Sequence, residues 1–529
     1  MTFTSLYFFA FVLAALILYY ALPKKIRWVV LLVASVTFYC ICSFKYIAFI
    51  IFTALSTFLG ALWIQNVSQK TKIKVKENKE TWTLDQKKAY KQKQVVNKRL
   101  ILALILVLNF GILFVLKYTN FLLGSITTVF GLPSIELGLV LPLGISFYTF
   151  QTMGYAIDVY REKTKAEKNF AKFGLFVSFF PQIIQGPIAV YDDLAHQLYE
   201  GHELKFLNIK YGFELILWGL FKKMIIADRL SILINTVLAD KGKYGGEMML
   251  VTALAYAAQL YMDFSGGIDI ARGVAEMFGI TMAENFKRPY FSKTIAEYWR
   301  RWHITLGAWM KNYVFYSLAM SKAFLKLGKN TKKKLGGHVG KVLPGSIATF
   351  IVFLLIGIWH GANWKYVGFG LWNAIIIFAS NLLEPVFEGI NTKLKIRTKS
   401  LSFRIVQMVR TFIIVLVGYY FDIADGFMDA LNMMKRSIFD LHIGNLTEKS
   451  VRWSLGLTAK DYVIVGIGLA IVFFVSLYQE RSQQKVRDTL EKQSIWAQWV
   501  VLLAGLLLIL TLGMYGPGIS VGEFVYMQF

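Results

Sequence analysis

His360 is the first candidate for chemistry, because it is an ionisable side chain inside a stretch that could otherwise cross a membrane. Residues 342–364, VLPGSIATFIVFLLIGIWHGANW, contain no Lys, Arg, Asp or Glu, and a spanning helix needs about 20 mostly apolar residues. An ionisable group at that depth is costly and by default indicates function. A neutral imidazole can take the proton of a hydroxyl while the oxygen forms a new bond. The stretch therefore predicts a general base.

The densest polar cluster of the chain reads YWRRWH and contains a second histidine, His303. If this cluster is helical, Trp299, Trp302 and His303 share one face, while Arg300 and Arg301 point to neighbouring faces. Tryptophan and arginine could donate hydrogen bonds to the oxyanion that forms during acyl transfer. A cluster that only anchors the chain at the membrane interface explains these residues about as well.

Further polar side chains accompany the two histidines in sequence. Asp263 and Ser265 lie in the motif MDFSGG, where Asp263 is also explained as the partner of a buried arginine. Neither zinc-type spacing, a phosphate-binding loop nor a Ser-His-Asp order is evident, so we expect no metal and no tightly bound cofactor. The two cysteines, Cys40 and Cys42, lie far from these motifs, which argues against a covalent acyl-enzyme.

These candidates are carried by a chain with the composition of a membrane protein. It has 529 residues, 56% of them hydrophobic. Charge-free runs recur along it, each long enough, or nearly so, to cross a bilayer of about 30 Å. We predict an all-α polytopic membrane protein with about 11 to 13 spans. Besides the His360 stretch, the runs are residues 1–23, 28–44, 46–69, 100–116, 137–157, 366–383, 462–479 and 493–522.

The net charge of +26 does not indicate a nucleic-acid-binding protein. The excess of Lys and Arg is concentrated between apolar runs, as the positive-inside rule expects of cytoplasmic loops that face anionic lipids. A docking site for an acidic carrier or a cofactor phosphate is the alternative. Basic residues follow the first run instead of preceding it, so we expect a span there, not a signal peptide, with the N-terminus outside. The basic segments are residues 70–99, 322–341, 393–410 and 481–492.

Three regions follow from these patterns. Residues 1–135 are predicted to form N-terminal spans with a cytoplasmic basic loop at 70–99, which is expected to be amphipathic or partly disordered helix. Residues 136–415 are predicted to form a catalytic core, and 416–529 an added membrane segment. The core mixes apolar residues with Gly, Pro, Gln, Asp and Asn, so we expect broken or re-entrant helices around a cavity.

Together the motifs resemble the membrane-bound O-acyltransferase (MBOAT) family, and within it the bacterial branch typified by the membrane subunit for alginate O-acetylation. They follow the family's order and cover about residues 135–375, and the final FVYMQF also looks like the tail of that branch. Met262, Gly267 and Ala308 depart from the expected motifs, which weakens inference about the substrate. The matching segments are LPLGISFYTFQ, AIDVY, SFFPQIIQGP, MDFSGGIDIARG, FKRPYFSKTIAEYWRRWHITLGAWMKNYVF and GIWHGANW.

The resemblance implies a helical bundle around a transmembrane tunnel, in the cell membrane, with His360 as the catalytic base and His303 as a second polar residue. It implies an acyl donor, acetyl-CoA or an acyl carrier protein, that binds as a substrate. The acceptor would be an extracytoplasmic polysaccharide or an esterase-like partner acetyltransferase. The residues expected to bind substrate or line the tunnel are Trp359, Asn363, Trp302, Arg300, Arg301, Asp263, Ser265 and Asn312.

Three other functions remain open from the sequence. A related branch of the family moves D-alanine toward teichoic acid. A transporter or flippase would also have broken helices and charged residues inside the membrane. A scaffold that recruits a soluble acyltransferase is the third alternative.

Overall fold

The computed structural model describes residues 1–448, 455–515 and 524 of the chain. Throughout this part the regular structure is helical, and the one contact of strand type is a single antiparallel bridge between Phe286 and Trp302. The predicted all-α class is therefore confirmed. The final FVYMQF lies outside the described residues except for Phe524.

Six helical segments among the described residues are long and apolar enough to cross a membrane, or seven if one bent pair of helices forms a single span. The predicted number of about 11 to 13 spans is not confirmed by length and composition. The bent pair is Trp364–Leu382 with Glu384–Lys393, which meet at 58°. The six segments are Lys24–Glu77, Leu84–Phe130, Gly337–His360, Leu401–Ile423, Ala459–Ser482 and Ile495–Leu512.

The chain divides into two compact units. The first consists of Met1–Phe213 with Ala271–Ala283, and the second of Glu214–Ile270 with Glu284–Phe529. The sequence analysis divided the chain at residues 135 and 415 by expected role, into N-terminal spans, a catalytic core and an added membrane segment. That division by role stays a prediction. The α-helices that lie within the first unit are Leu6–Ala21, Arg27–Ser43, Ile47–Glu77, Leu84–Phe130, Ile145–Tyr160, Phe170–Ser178, Phe180–Ile183 and Tyr191–Tyr199.

The second unit carries most of the motif residues. Two helices, Phe206–Leu220 and Gly246–Met277, have residues in both units. A π-helix follows the first of them at Phe221–Ala227, and another lies at Met310–Phe315. The α-helices within the second unit are Asp228–Ala239, Ile295–Arg301, Ile304–Trp309, Tyr316–Ala319, Lys322–Leu335, Gly337–His360, Trp364–Leu382, Glu384–Lys393, Leu401–Ile423, Phe427–Phe439, Ala459–Ser482, Val486–Glu491 and Ile495–Leu512.

The broken helices expected in the core are present in the first unit. The run at 137–157, predicted to be nearly long enough to span, is helical only from Ile145, after Gly144 at a φ of 69°. Glutamine side chains bond the backbone groups that such breaks free. Gln151 Nε2 donates to the carbonyl of Phe176 at 2.8 Å, and Gln182 Nε2 donates to the carbonyl of Pro187 at 2.8 Å.

The basic segment at residues 70–99 is helical rather than partly disordered. It forms the end of Ile47–Glu77 and the start of Leu84–Phe130. The second helix begins with a capping box, in which Thr83 and Gln86 bond each other's backbone N–H groups, an arrangement that satisfies two of the first-turn donors.

Three helices of the second unit surround the candidate site. We call them the His360 helix (Gly337–His360), the Asn373 helix (Trp364–Leu382) and the Asp422 helix (Leu401–Ile423). The first two pack backbone against backbone, because a Cβ placed on Gly357 would lie 2.8 Å from Cα of Gly370. Glycine at both positions permits that approach.

Candidate active site

His360 is the last residue of its helix, and the chain turns sharply after it. Gly361 ends the helix in an extended conformation. A Cβ on Gly361 would collide with the ring of Tyr366, so glycine at this position lets the next helix return beside the imidazole. The close approach at Gly361 is thus made by the chain itself.

A cavity in the second unit opens onto His360, whose residue surface is only 8% exposed. The imidazole stacks on Phe369, with ring centroids 5.1 Å apart and planes tilted by 28°. Aromatic side chains form most of the wall, and polar groups are few. The aromatic residues are Tyr256, Tyr298, Trp299, Trp302, Phe369 and Tyr419, and the polar side chains beside His360 are Asn373 and Asp422.

The prediction that Trp299, Trp302 and His303 share one helical face is wrong. The helix Ile295–Arg301 ends before Trp302, which is extended and forms the bridge to Phe286. His303 then takes a left-handed conformation at a φ of 45°. Trp299 and Trp302 both line the cavity, whereas His303 is turned to other partners.

His303 is buried and contacts Trp359. Its imidazole, in a residue 1% exposed, packs edge-on against Phe264 at 4.9 Å and against Trp359 at 6.2 Å between centroids. The indole of Trp359 in turn meets His360 at 5.3 Å. The two predicted catalytic histidines thus both contact the indole of Trp359, and of the two His360 lines the cavity.

Asp263 belongs to a separate buried ion cluster. The ammonium of Lys223, on the π-helix Phe221–Ala227, lies 2.6 Å from Asp263 and 2.9 Å from Asp228. Ser265 accepts a hydrogen bond from the neighbouring Lys222 at 2.8 Å. The cationic partner of Asp263 is a lysine, not the arginine expected. Neither Asp263 nor Ser265 lines the cavity at His360.

Four other predicted residues also lie away from the cavity lining. Arg300 and Asn312 are exposed. Arg301 pairs with Glu297 and with Glu480. Asn363 caps the Asn373 helix, because its side chain accepts from the backbone N–H of Lys365. Their predicted roles in binding substrate stay predictions. Of that set, Trp302 lines the cavity and Trp359 lies beside His360.

Several polar groups of the cavity were missed by the sequence prediction. Asn373 lies in the charge-free segment 366–383, and Asp422 is the one charged residue of the segment 411–423. The criterion that selected His360, a costly group at membrane depth, also applies to them. Tyr298 and Tyr419 could not be recognised from the sequence by that criterion, because tyrosine is common at membrane interfaces.

Within the described residues, no group of three or more His, Cys, Asp or Glu side chains is placed to hold a metal ion. The chemistry of the cavity is that of one imidazole, one carboxylate, one amide and the aromatic side chains around them. This set can remove a proton from a hydroxyl and donate hydrogen bonds to an oxyanion.

A buried cavity with an imidazole in its wall, in a helical membrane protein, suits an enzyme that transfers acyl groups. Sequence comparison supports this class of protein. The chain belongs to the MBOAT, membrane-bound O-acyltransferase family, whose model matches residues 48–331. It is 31% identical over 489 residues to a probable alginate O-acetylase of Pseudomonas syringae pv. tomato, over 91% of this chain and 83% of the relative. The part of the chain outside that match is under a tenth of its length, too short to reach from either end to His360, so the matched range includes His360. The match to the family model ends at residue 331.

Two relatives with other named activities are also similar. A peptidoglycan O-acetyltransferase of Helicobacter pylori is 30% identical over 71% of this chain and 69% of the relative. A teichoic acid D-alanyltransferase of Bacillus subtilis is 28% identical over 53% of this chain and 67% of the relative. The chain is thus a multi-pass membrane O-acyltransferase of this family, which favours an enzyme over the transporter and the scaffold.

Proposed function

We propose that this protein transfers an acetyl group from a cytoplasmic donor, acetyl-CoA or an acyl carrier protein, through the cell membrane to hydroxyls of an extracytoplasmic polysaccharide, directly or through a partner acetyltransferase. The names of the relatives support acetyl transfer to a glycan. The observation that carries the proposal is the imidazole of His360 in the wall of a buried aromatic cavity. A tunnel that joins the two membrane surfaces at this cavity is part of the proposal.

In the proposed reaction, His360 takes the proton from the acceptor hydroxyl while its oxygen attacks the carbonyl carbon of the acetyl thioester. The C–S bond then breaks, the new ester remains on the acceptor, and the leaving thiolate receives the proton from the imidazolium. The amide of Asn373 donates one N–H to the carbonyl of Phe369, so its other N–H can stabilise the oxyanion. The aromatic wall excludes water, which would otherwise hydrolyse the thioester.

In this scheme His303 acts from outside the cavity lining, through Trp359. Its contacts with Phe264 and Trp359 hold the indole that adjoins His360. The family resemblance makes His303 the second polar residue of the site, and its position beside that indole supports a role in positioning His360.

The test is acetyl transfer from radiolabelled acetyl-CoA in membranes that contain the full chain, with alginate oligosaccharides and soluble peptidoglycan fragments as acceptors. His360→Ala is expected to lower transfer about 10²- to 10⁴-fold, the usual contribution of a general base, at an unchanged amount of protein. His338→Ala is the matched control, because His338 lies at the other end of the same helix. Equal transfer by wild type and His360→Ala would overturn the assignment of the base.

Transfer of D-alanine to teichoic acid is the second candidate, supported by the Bacillus subtilis relative. The same membranes would be supplied with a D-alanyl carrier protein and teichoic acid. Transfer of D-alanine but not of acetyl would decide for this candidate.

A further inference from the structure

The polar groups of the cavity differ in how they are bonded, and both the oxygen and the nitrogen of the Asn373 amide have a hydrogen-bond partner. Its side-chain oxygen accepts a hydrogen bond from the indole N–H of Trp299 at 3.0 Å. Its amide nitrogen donates to the carbonyl oxygen of Phe369 at 2.9 Å. The amide is therefore fixed in orientation, with one N–H left for a ligand.

The tyrosine hydroxyls at the cavity bond one another in a chain whose direction is determined. Tyr290 must donate to the carbonyl of Ala257, 2.6 Å away, because a carbonyl has no hydrogen to give. The Tyr290 oxygen therefore accepts from Tyr419 at 3.1 Å, and the Tyr419 oxygen accepts from Tyr298 at 2.8 Å. Each hydroxyl hydrogen in this chain already has an acceptor.

Asp422 is the exception among these groups. Its residue surface is 8% exposed, and its Oδ1 atom is shut off from solvent with no hydrogen-bond donor in the described part of the chain. The nearby ammonium of Lys365 does not bond the carboxylate. It donates to two backbone carbonyls at the end of the Asp422 helix, those of Asp422 at 3.0 Å and Ala424 at 2.6 Å.

A carboxylate kept in this state is costly to the fold. Burial of a carboxyl oxygen without a hydrogen-bond donor is unfavourable, because the oxygen loses its bonds to water and gains none in the protein. Such a cost is typical of groups retained for function. Because Asp422 shares the cavity with His360, its missing partner is expected to be part of a substrate.

We propose that the carboxylate of Asp422 binds a hydroxyl group of the acceptor glycan and holds it beside His360. A carboxyl oxygen without a donor can accept a hydrogen bond, and sugar hydroxyls supply donors. Acetyl-CoA also has amide and hydroxyl donors outside its thioester group, so a rise of KM confined to acetyl-CoA would overturn the assignment. Asp422 is thus a residue that binds the acceptor. This inference rests on the proposed function, because it requires a hydroxyl acceptor in the cavity.

The experiment measures acetyl transfer to alginate oligosaccharides by membranes that contain the full chain, with acetyl-CoA and the oligosaccharide varied separately. For Asp422→Ala, which leaves the sugar hydroxyl without an acceptor, we expect KM for the oligosaccharide to rise roughly tenfold to a hundredfold. Asp422→Asn keeps one acceptor oxygen, so a smaller rise is expected. KM for acetyl-CoA is expected to stay unchanged. The melting temperature of both variants should equal or exceed that of wild type.

Asp425→Asn is the matched control. Asp425 lies three residues further on, its side chain is 87% exposed, and Lys241 keeps Asp429 as a partner when it is replaced. Its kinetic constants are expected to match those of wild type.

Each contrary outcome has a distinct meaning. A lower melting temperature with unchanged kinetics would show that Asp422 is structural and overturn the inference. A fall in kcat at saturating oligosaccharide with unchanged KM would show that Asp422 serves His360 instead. Loss of D-alanyl transfer with intact acetyl transfer would show that Asp422 binds the ammonium group of D-alanine, and this result would also overturn the inference. An inactive wild-type protein would overturn the proposed function itself.

Discussion

The indole N–H of Trp299 donates a hydrogen bond across 3.0 Å to the side-chain oxygen of Asn373, and both residues line the cavity at His360. The bond joins the short helix Ile295–Arg301 to the Asn373 helix. Trp299 also packs edge-on against Phe353 of the His360 helix, at 5.2 Å between ring centroids. One tryptophan thus fixes the spacing of three segments at the candidate site.

Trp299→Phe is expected to destabilise the protein and to reduce acetyl transfer. It keeps an aromatic ring but removes the N–H, so the buried oxygen of Asn373 loses its donor, at a cost of about 1–3 kcal/mol. Thermal unfolding of the purified protein in detergent would measure this loss. Trp496→Phe, at a position 79% exposed, should leave the transition unchanged. A Trp299→Phe protein with the stability of wild type would show that the hydrogen bond contributes nothing to folding.

Lys223→Met is expected to be among the most destabilising single changes in the second unit. It leaves the carboxylates of Asp263 and Asp228 buried without the ammonium that lies within 3 Å of both. Removal of one partner from a buried ion pair costs about 3–5 kcal/mol. The measurement is the fraction of protein that stays monodisperse in size-exclusion chromatography after stepwise heating. Lys326→Met, at an exposed lysine, is the control, and equal losses in the two variants would contradict the prediction.

The sequence was sufficient for the helical class, which depends on composition, and for the family, which depends on the resemblance of the motifs and their order. The choice of His360 as the base stays a prediction, drawn from a single ionisable residue in an apolar run. The surroundings of His303 were not predictable in the same way. Helical periodicity assumes that the chain continues as a helix, but pairing of Trp302 with Phe286 ends it. That pairing joins segments distant in sequence. Asp422 was predictable in principle, since it obeys the rule applied to His360.

Glu162 gives a pH-dependent test of how the basic segment is held in the first unit. Hydrogen bonds from Lys72 and Lys98 lower the pKa of Glu162 from its usual 4.5 to about 2. Because the folded pKa is lower than the unfolded one, the stabilisation is complete above about pH 4.5 and is lost as the pH falls toward 2. The Glu162 side chain is 39% exposed, so the effect is expected to stay under about 1 kcal/mol.

Hydrogen exchange of the two helix ends would measure this contribution. In Glu162→Gln the ends of Ile47–Glu77 and Leu84–Phe130 should exchange faster than in wild type at pH 6. The difference should shrink at pH 3, where Glu162 begins to be protonated in wild type. A difference of the same size at both values of pH would show that the charge of Glu162 does not hold the helices.

Gly357→Ala tests whether the close packing of two helices positions His360. The new Cβ would lie 2.8 Å from Cα of Gly370 and closer still to the carbonyl oxygen of Tyr366. Both obstacles are backbone atoms, so the helices must move apart, at a cost of about 1–3 kcal/mol. His360 lies one turn further along the same helix, and its imidazole would shift relative to Phe369.

Gly345→Ala is the matched control, because it lies on the same helix and a Cβ there meets open space. Alanine at that position should be neutral or stabilise the helix by up to about 1 kcal/mol. Acetyl transfer and thermal unfolding, measured on both variants, should separate them: Gly357→Ala loses activity and stability, and Gly345→Ala keeps both. If the two variants behave alike, helix spacing at Gly357 does not determine where the imidazole lies.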